Sequence, residues 1–199
     1  MTIYNFIYSL NSFANHTTYY KFVDVIPDST ITKLRRVLDS KKLEIAEVVE
    51  ESRGTVDIIK RRSKIYWLSK TDEFLEIYTI FFELISRCNN EFYQFKLTEI
   101  VENIQYTVYN SEDQGCYDWH IDMGPGKANR KLSLVCQLSD PSEYEGGEFQ
   151  INQGGSILVP ERTKGTVIIF PSYMVHRVAP VTKGTRRSLV LWVEGPAFV

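Results

Sequence analysis

The side chains whose types and spacing suit chemistry here are a few histidines, one aspartate and an arginine. The stretch DWHID at residues 118–122 sets His120 and Asp122 two positions apart. In an extended chain successive side chains alternate faces, so these two point one way while Trp119 and Ile121 point the other. They are two convergent donors for a metal, and a chelate needs a third. The chain has three histidines. His16 lies far from the pair in sequence and is assigned no role, whereas His176, in PSYMVHRVAP, falls within another predicted strand. Two imidazoles and one carboxylate that leave coordination positions open are the ligand set of non-heme Fe(II) sites. A lone His-x-Asp arises by chance and on solvated strand faces, so its weight depends on what accompanies it.

What accompanies it is RVAPVTKGTRRSLVLW, directly after His176. Beyond a turn at Gly184, a strand places Arg186, Ser188, Val190 and Trp192 on one face and Arg187, Leu189 and Leu191 on the other. A guanidinium presents a planar fork of N–H donors, and a neighbouring hydroxyl adds another, so Arg186 with Ser188 suits a carboxylate. Without the histidine, the adjacent arginines would read as a solvated strand edge.

Elements of two kinds must position these residues. Before residue 98 the pattern is helical. DSTITKLRRVLDSKK offers Asp28, Ser29 or Thr30 as N-caps and spaces Ile31, Leu34 and Leu38 for one helix face. TDEFLEIYTIFFELISRCNN offers Thr71 or Asp72 as caps and Phe74, Leu75, Tyr78, Phe81, Phe82 and Ile85 as a broad apolar stripe. Those aromatics read as core packing. After residue 98, EIVENIQYTVY, KLSLVCQL, GGEFQI, GSILV, GTVIIF, MVHRVAPV and RRSLVLWV read as short strands divided by Gly and Pro turns. The expectation is an α+β, mainly β chain: a double-stranded β-helix (jelly roll) at 98–199 buttressed by a helix-rich support region at 1–97, together one domain. The mouth of such a barrel is the natural place for a ligand.

Composition narrows the function classes. With 199 residues, 43% of them hydrophobic, the chain can bury a sizeable core. A formal charge of -2 gives no footprint for a polyanion, so nucleic acid is disfavoured as a partner. Cys88, Cys116 and Cys136 form no CxxC pair and read as buried thiols. The opening MTIYNFIYSL lacks a basic segment before a long apolar run, and no uncharged stretch approaches the roughly 20 apolar residues that span a bilayer. The expectation is a cytoplasmic protein without membrane association. The absence of a GxSxG elbow argues against a serine hydrolase.

Taken together, HID at 120–122, YEGGEF at 144–149, KGTVIIFPS at 164–172 and HRVAPVTKGTRRSLVLW at 176–192 resemble the iron and 2-oxoglutarate-dependent oxygenases, in their prolyl-4-hydroxylase-like branch. The ordered set covers the C-terminal half, while the N-terminal half matches only in general layout. The resemblance implies iron ligation by His120, Asp122 and His176, and Arg186 on the distal carboxylate of 2-oxoglutarate, with Ser188 and Trp192 flanking that pocket. It also implies a tyrosine that bonds the co-substrate. Tyr109 is nearest the family's position, with Tyr106 and Tyr117 in competition. Many collagen-type prolyl hydroxylases carry Lys where this chain has Arg186.

The resemblance further implies a dioxygenase that uses Fe(II), 2-oxoglutarate and O2, with ascorbate as an optional reductant, and that hydroxylates a C–H bond with release of succinate and CO2. A peptide or protein substrate is implied, with peptidyl proline first. Arg61, Arg62 and Lys64, in RGTVDIIKRRSKIYW, are candidates to meet an acidic peptide, the alternative being a solvated hairpin face. MGPGKANRK offers Gly124 and Gly126 as hinges and Lys127 and Arg130 as charges of a lid. The rival readings are a metal- or sugar-binding jelly-roll module without turnover, and an oxygenase of nucleic acid or a small metabolite. Nucleic-acid demethylases of this superfamily usually show a second Arg six positions after the first, where this chain has Trp192. Oligomeric state has no signature in the sequence.

Overall fold

The computed structural model describes residues 18–197 apart from 51, 52, 56, 58 and 125, so His16 lies outside the described residues. Its strands are β1 (Tyr20–Phe22), β2 (Glu44–Ile45), β3 (Val48–Glu50), β4 (Arg53–Thr55), β5 (Arg61–Arg62), β6 (Lys64–Leu68), β7 (Ile104–Asn110), β8 (Cys116–His120), β9 (Arg130–Gln137), β10 (Tyr144–Gly146), β11 (Phe149–Gln153), β12 (Ser156–Leu158), β13 (Val167–Pro171), β14 (Val175–Val178) and β15 (Val181–Glu194). Among the described residues two α-helices, α1 (Asp28–Leu38) and α2 (Leu75–Cys88), precede β7. The major sheet runs β1-β13-β9-β15-β7-β6-β2, with β10 also paired to β15, and the minor sheet runs β12-β11-β14-β8-β5. All of these pairs are antiparallel. The arrangement is the expected jelly roll with helices on one side.

Alternation along the strands explains the layering. In β15, Leu189, Leu191 and Val193 join Leu132, Leu134 and Cys136 of β9 and Val167 and Ile169 of β13 in a core closed by Ile77, Phe81 and Ile85 of α2. The opposite face of the same strands looks into the barrel. There Val135 and Ile168 pack with Phe149 and Ile151 of the minor sheet. Both faces of β9 are therefore covered, and all eight of its residues are buried. Ser133, Gln137, Thr107 and Ser188 are buried polar positions within this mainly apolar sheet. Buried hydroxyls and amides are costly unless partnered, and of these four Thr107 and Ser188 line one cavity.

The helices correct two details of the sequence reading. Neither α1 nor α2 has a side-chain N-cap: Pro27 and Phe74 occupy those positions. Thr30 instead donates to Glu76 Oε1 at 2.7 Å, tying α1 to α2. The stripe of α2 that meets the sheet is Ile77, Tyr78, Phe81, Ile85 and Cys88, while Leu75 and Phe82 are 58% and 61% exposed. Seven positions apart, Leu75 and Phe82 lie over each other on the neighbouring stripe, turned to solvent.

The change of texture near residue 98 is not an edge of the sheets. Strands β1, β2 and β6 extend the major sheet and β5 extends the minor one. These are two to five residues long, too short to announce a period. A tight crossing at β10 and β15 fixes the far end of the barrel. Gly184 there has φ of 70°, and an added Cβ would overlap the Glu143 carbonyl oxygen. Gly184→Ala is therefore expected to lower stability by at least about 2 kcal/mol, from left-handed backbone strain plus the overlap, read as a shift in urea midpoint at constant slope.

Candidate active site

The register of β8 against β14 sets His120 directly opposite His176. The two imidazoles, far apart in sequence, thus become cross-strand neighbours with ring centroids 4.2 Å apart. Asp122 follows β8 in a short turn whose backbone N–H groups, at Asp122 and Met123, both donate to the Ser172 carbonyl, at 2.9 and 3.2 Å. This brings the carboxylate between the rings. Its Oδ1 lies 3.8 Å from His120 Nε2 and its Oδ2 3.5 Å from His176 Nε2. Both distances are too long for hydrogen bonds, and all three donor groups lie within 4.8 Å of one another.

Each imidazole is oriented by its own strand. His120 Nδ1 lies 2.7 Å from the Asp118 carbonyl and His176 Nδ1 lies 2.9 Å from the Met174 carbonyl. A carbonyl only accepts, so each Nδ1 carries the proton and each Nε2 is free to ligate. Ser133 Oγ donates to Asp122 Oδ2 at 2.6 Å, and Arg130 Nη1 donates to the Asp122 backbone carbonyl at 3.2 Å. Outer partners of this kind orient ligands at metal centres. The donor set fits a divalent ion of the two-histidine, one-carboxylate class.

The triad stands in the wall of a cavity of about 660 Å³ that also receives Arg186, Ser188 and Trp192 from β15, Tyr109 from β7 and Tyr117 from β8. Arg186, only 2% exposed, donates from Nη1 to Ser188 Oγ at 3.2 Å and lies over the Tyr109 ring at 5.4 Å. Arg187 points the other way, to Asp39 Oδ1 at 3.0 Å and Glu143 Oε2 at 4.0 Å. Tyr106 also faces away, its hydroxyl donating to Asp39 Oδ1 at 2.7 Å. Of the three tyrosines considered, Tyr109 and Tyr117 therefore reach the cavity. Tyr117 stacks on His120, with centroids 3.5 Å apart.

Residues 104–194 match the family profile described as the 2OG-Fe(II) oxygenase superfamily, and the triad and Arg186 all lie inside that range. This segment is similar to the core of that superfamily. Among its sequence relatives, a PKHD-type hydroxylase of Synechococcus sp. (strain CC9311) is 33% identical over 93 residues, covering 45% of this chain and 41% of that protein. Another, from Synechococcus sp. (strain CC9605), is 42% identical over 81 residues, covering 39% of this chain and 36% of that protein. The chain thus spans about two-fifths of the length of these relatives. In fold it is similar to a Trichoplax adhaerens prolyl hydroxylase solved with a peptide fragment of hypoxia inducible factor. That likeness has a TM-score of 0.76 at 19% identity and covers 93% of this chain and 86% of the other. A Pseudomonas putida prolyl-4-hydroxylase gives a TM-score of 0.72, also at 19% identity, over 94% and 97% of the two chains.

The surroundings of the triad include two residues to which the sequence reading gave no role, Ser133 and Glu102. Ser133 holds the Asp122 carboxylate, and Lys127 and Arg130 both form ion pairs with Glu102. Arg130 also stacks over Trp192 at 4.0 Å. The loop after Asp122 is thus pinned by its two cations rather than carrying them free. The sequence signal for Ser133 was a hydroxyl inside an otherwise apolar strand. Nothing local pointed to Glu102. Among the described residues, no helix is long and apolar enough to cross a membrane.

Electrostatics shift two of the three donors, His120 and Asp122. Burial, with His176 adding to it, pushes the His120 imidazole down to about 3, so it is neutral at physiological pH. Burial alone would raise the Asp122 carboxyl, but His176, His120, the Ser133 hydroxyl and Arg130 together hold it below the usual range. A histidine depressed in the folded state binds its proton more readily when unfolded, so stability rises with pH between about 3 and 6.5. In metal-free protein each pH unit below 6.5 is expected to cost up to about 1.4 kcal/mol through His120, a slope that urea titrations of wild type and His120→Asn between pH 5 and 6.5 would resolve.

Proposed function

We propose that this chain is an Fe(II)- and 2-oxoglutarate-dependent dioxygenase that hydroxylates a peptide or protein side chain, proline first, with release of succinate and CO2. The observation that carries the reading is the convergence of His120, Asp122 and His176 in one cavity with the buried Arg186. The hydroxylase names of the sequence relatives and the prolyl hydroxylase names of the fold neighbours point the same way.

In this proposal His120, Asp122 and His176 would hold the iron. When bound with 2-oxoglutarate and O2, it supplies the oxidising power for the C–H bond. The chain's own residues bind and orient. Arg186 receives the distal carboxylate of the keto acid on its fork, and Ser188 Oγ, 3.2 Å from Nη1, sets the guanidinium and adds a donor. Burial holds the Tyr109 phenol protonated, so it can donate to the co-substrate. Trp192, 7% exposed, closes the pocket against water. External ascorbate serves as an optional reductant.

The test combines Fe(II), 2-oxoglutarate and a peptide panel with and without proline, read by succinate formation and by a mass gain of one oxygen. Succinate formation together with a singly oxygenated proline peptide is the expected result. No succinate under any condition would favour a binding module instead. Succinate with an oxidised nucleoside or small metabolite, and no modified peptide, would overturn the peptide assignment alone.

A further inference from the structure

We infer that Arg61 is a docking site for a carboxylate of the substrate, so that the side chain to be oxidised lies beside an acidic group. The inference rests on the hydroxylase reading and adds a substrate class to it. Three cations of one segment were candidates to meet an acidic peptide, and the fold separates them. Arg62 turns outward, its Nε and Nη2 both 3.2 Å from the Gln114 carbonyl. Lys64 is exposed on the face of β6 opposite Ile65 and Trp67, which line the cavity. Arg61 alone enters the cavity wall, and it is 8% exposed.

Its hydrogen-bond partners are all neutral groups. Nε donates to Ser63 Oγ at 2.9 Å, Nη2 to Gln105 Oε1 at 2.8 Å and Nη1 to the Glu47 carbonyl at 3.4 Å. A guanidinium has five N–H donors, so two are left over. No carboxylate of the described residues lies within ion-pair distance of it. A cation removed from water without a counter-charge is strongly destabilising, and a ligand that brings the charge relieves that.

Location gives the ligand's side of the site. The guanidinium lies 4.7 Å over the Tyr117 ring, whose other neighbour in the stack is His120. Arg61 is therefore one aromatic ring from the triad and separate from the Arg186 and Ser188 pair proposed for the keto acid. The nearby acids do not neutralise it. Asp122 is engaged between the two histidines, and Glu44 and Glu47 are exposed at the rim, where water screens them. On another part of the wall Lys127 and Arg130 share the single carboxylate of Glu102, leaving a further positive excess.

The test uses the full chain with Mn(II) and 2-oxoglutarate without oxygen, and two immobilised peptide libraries identical except that one carries Asp and Glu where the other carries Asn and Gln. Wild type should retain the acidic library more tightly by about 10-fold to 150-fold, the range of one or two charge-assisted hydrogen bonds. Arg61→Gln should equalise the two libraries, and Arg61→Lys should keep part of the preference, both with unchanged 2-oxoglutarate affinity. Equal retention by wild type, or retention of neither library, overturns the inference without any variant, so a misfolded Arg61→Gln does not shelter it. Loss of 2-oxoglutarate affinity in Arg61→Gln also overturns it, by giving the carboxylate to the co-substrate. Failure of wild type to bind 2-oxoglutarate at all overturns the hydroxylase reading instead, and an acid preference abolished by Arg61→Gln would still support the carboxylate site.

Discussion

His176→Ala is expected to abolish turnover and to weaken metal binding by more than about 100-fold, beyond the loss that outer-shell partners alone produce at metal sites. The reason is geometric. His176 and His120 face each other across one strand pair, and Asp122 lies between them, so removing one imidazole leaves two donors where three converge. Mn(II), Co(II) and Zn(II) should compete as inert occupants, which lets stoichiometry be read by spectroscopic Mn(II) titration independently of activity. Unchanged metal stoichiometry together with full turnover in His176→Ala would sink the triad. Ser133→Ala is the informative companion. It should reduce affinity by about 10-fold to 100-fold, since its hydroxyl orients the carboxylate and is not itself a ligand.

The second large effect is at Arg186. Arg186→Ala should weaken 2-oxoglutarate by about 10-fold to 150-fold, because a charge-assisted pair is worth roughly 1.5 to 3 kcal/mol. Arg186→Lys should retain part of that affinity, having the charge without the planar fork. The local packing favours Arg at this place. Arg186 lies against the Gly146-Gly147 turn, where a Cβ on Gly147 would come within 3.1 Å of its Cδ, and Ser188 meets its Nη1. Arg187→Ala should leave 2-oxoglutarate affinity unchanged and instead lower stability, since that side chain is bound to Asp39 on the outer side of the sheet. Calorimetric titration of the metal-loaded variants separates these outcomes. Equal affinity for wild type and Arg186→Ala would move the distal carboxylate elsewhere.

Much of the candidate site could be read from the sequence because its information is local or alternating. His120 and Asp122 are two residues apart, and the strand after Gly184 sorts Arg186, Ser188, Val190 and Trp192 onto one face by period two. The structure keeps that sorting, with the first set toward the cavity and Leu189 and Leu191 in the helix-side core. The seven strands read after residue 98 correspond to seven of the strands described there. The helices were legible too, through the 3.6-residue spacing of Ile31, Leu34 and Leu38 and of Tyr78, Phe81 and Ile85. The starts of the helices were less so: the candidates at 28, 29 and 30 lie inside α1, whose N-cap is Pro27, and Thr71 and Asp72 lie in the turn before Phe74, the N-cap of α2.

What the tertiary structure decided lies in pairings between distant strands, which no periodicity encodes. The register that sets His120 opposite His176 depends on how β8 and β14 add to one sheet. The choice among three tyrosines depends on which face of β7 or β8 looks inward. That choice turns Tyr106 to Asp39 and leaves Tyr109 and Tyr117 in the cavity. Arg61, Arg62 and Lys64 are the clearest case. As a run of cations they look interchangeable, and a two-residue strand, β5, has no pattern to separate them. Its pairing with β8 aims Arg61 into the barrel and Arg62 out of it, because adjacent side chains of a strand must take opposite faces once one face is buried.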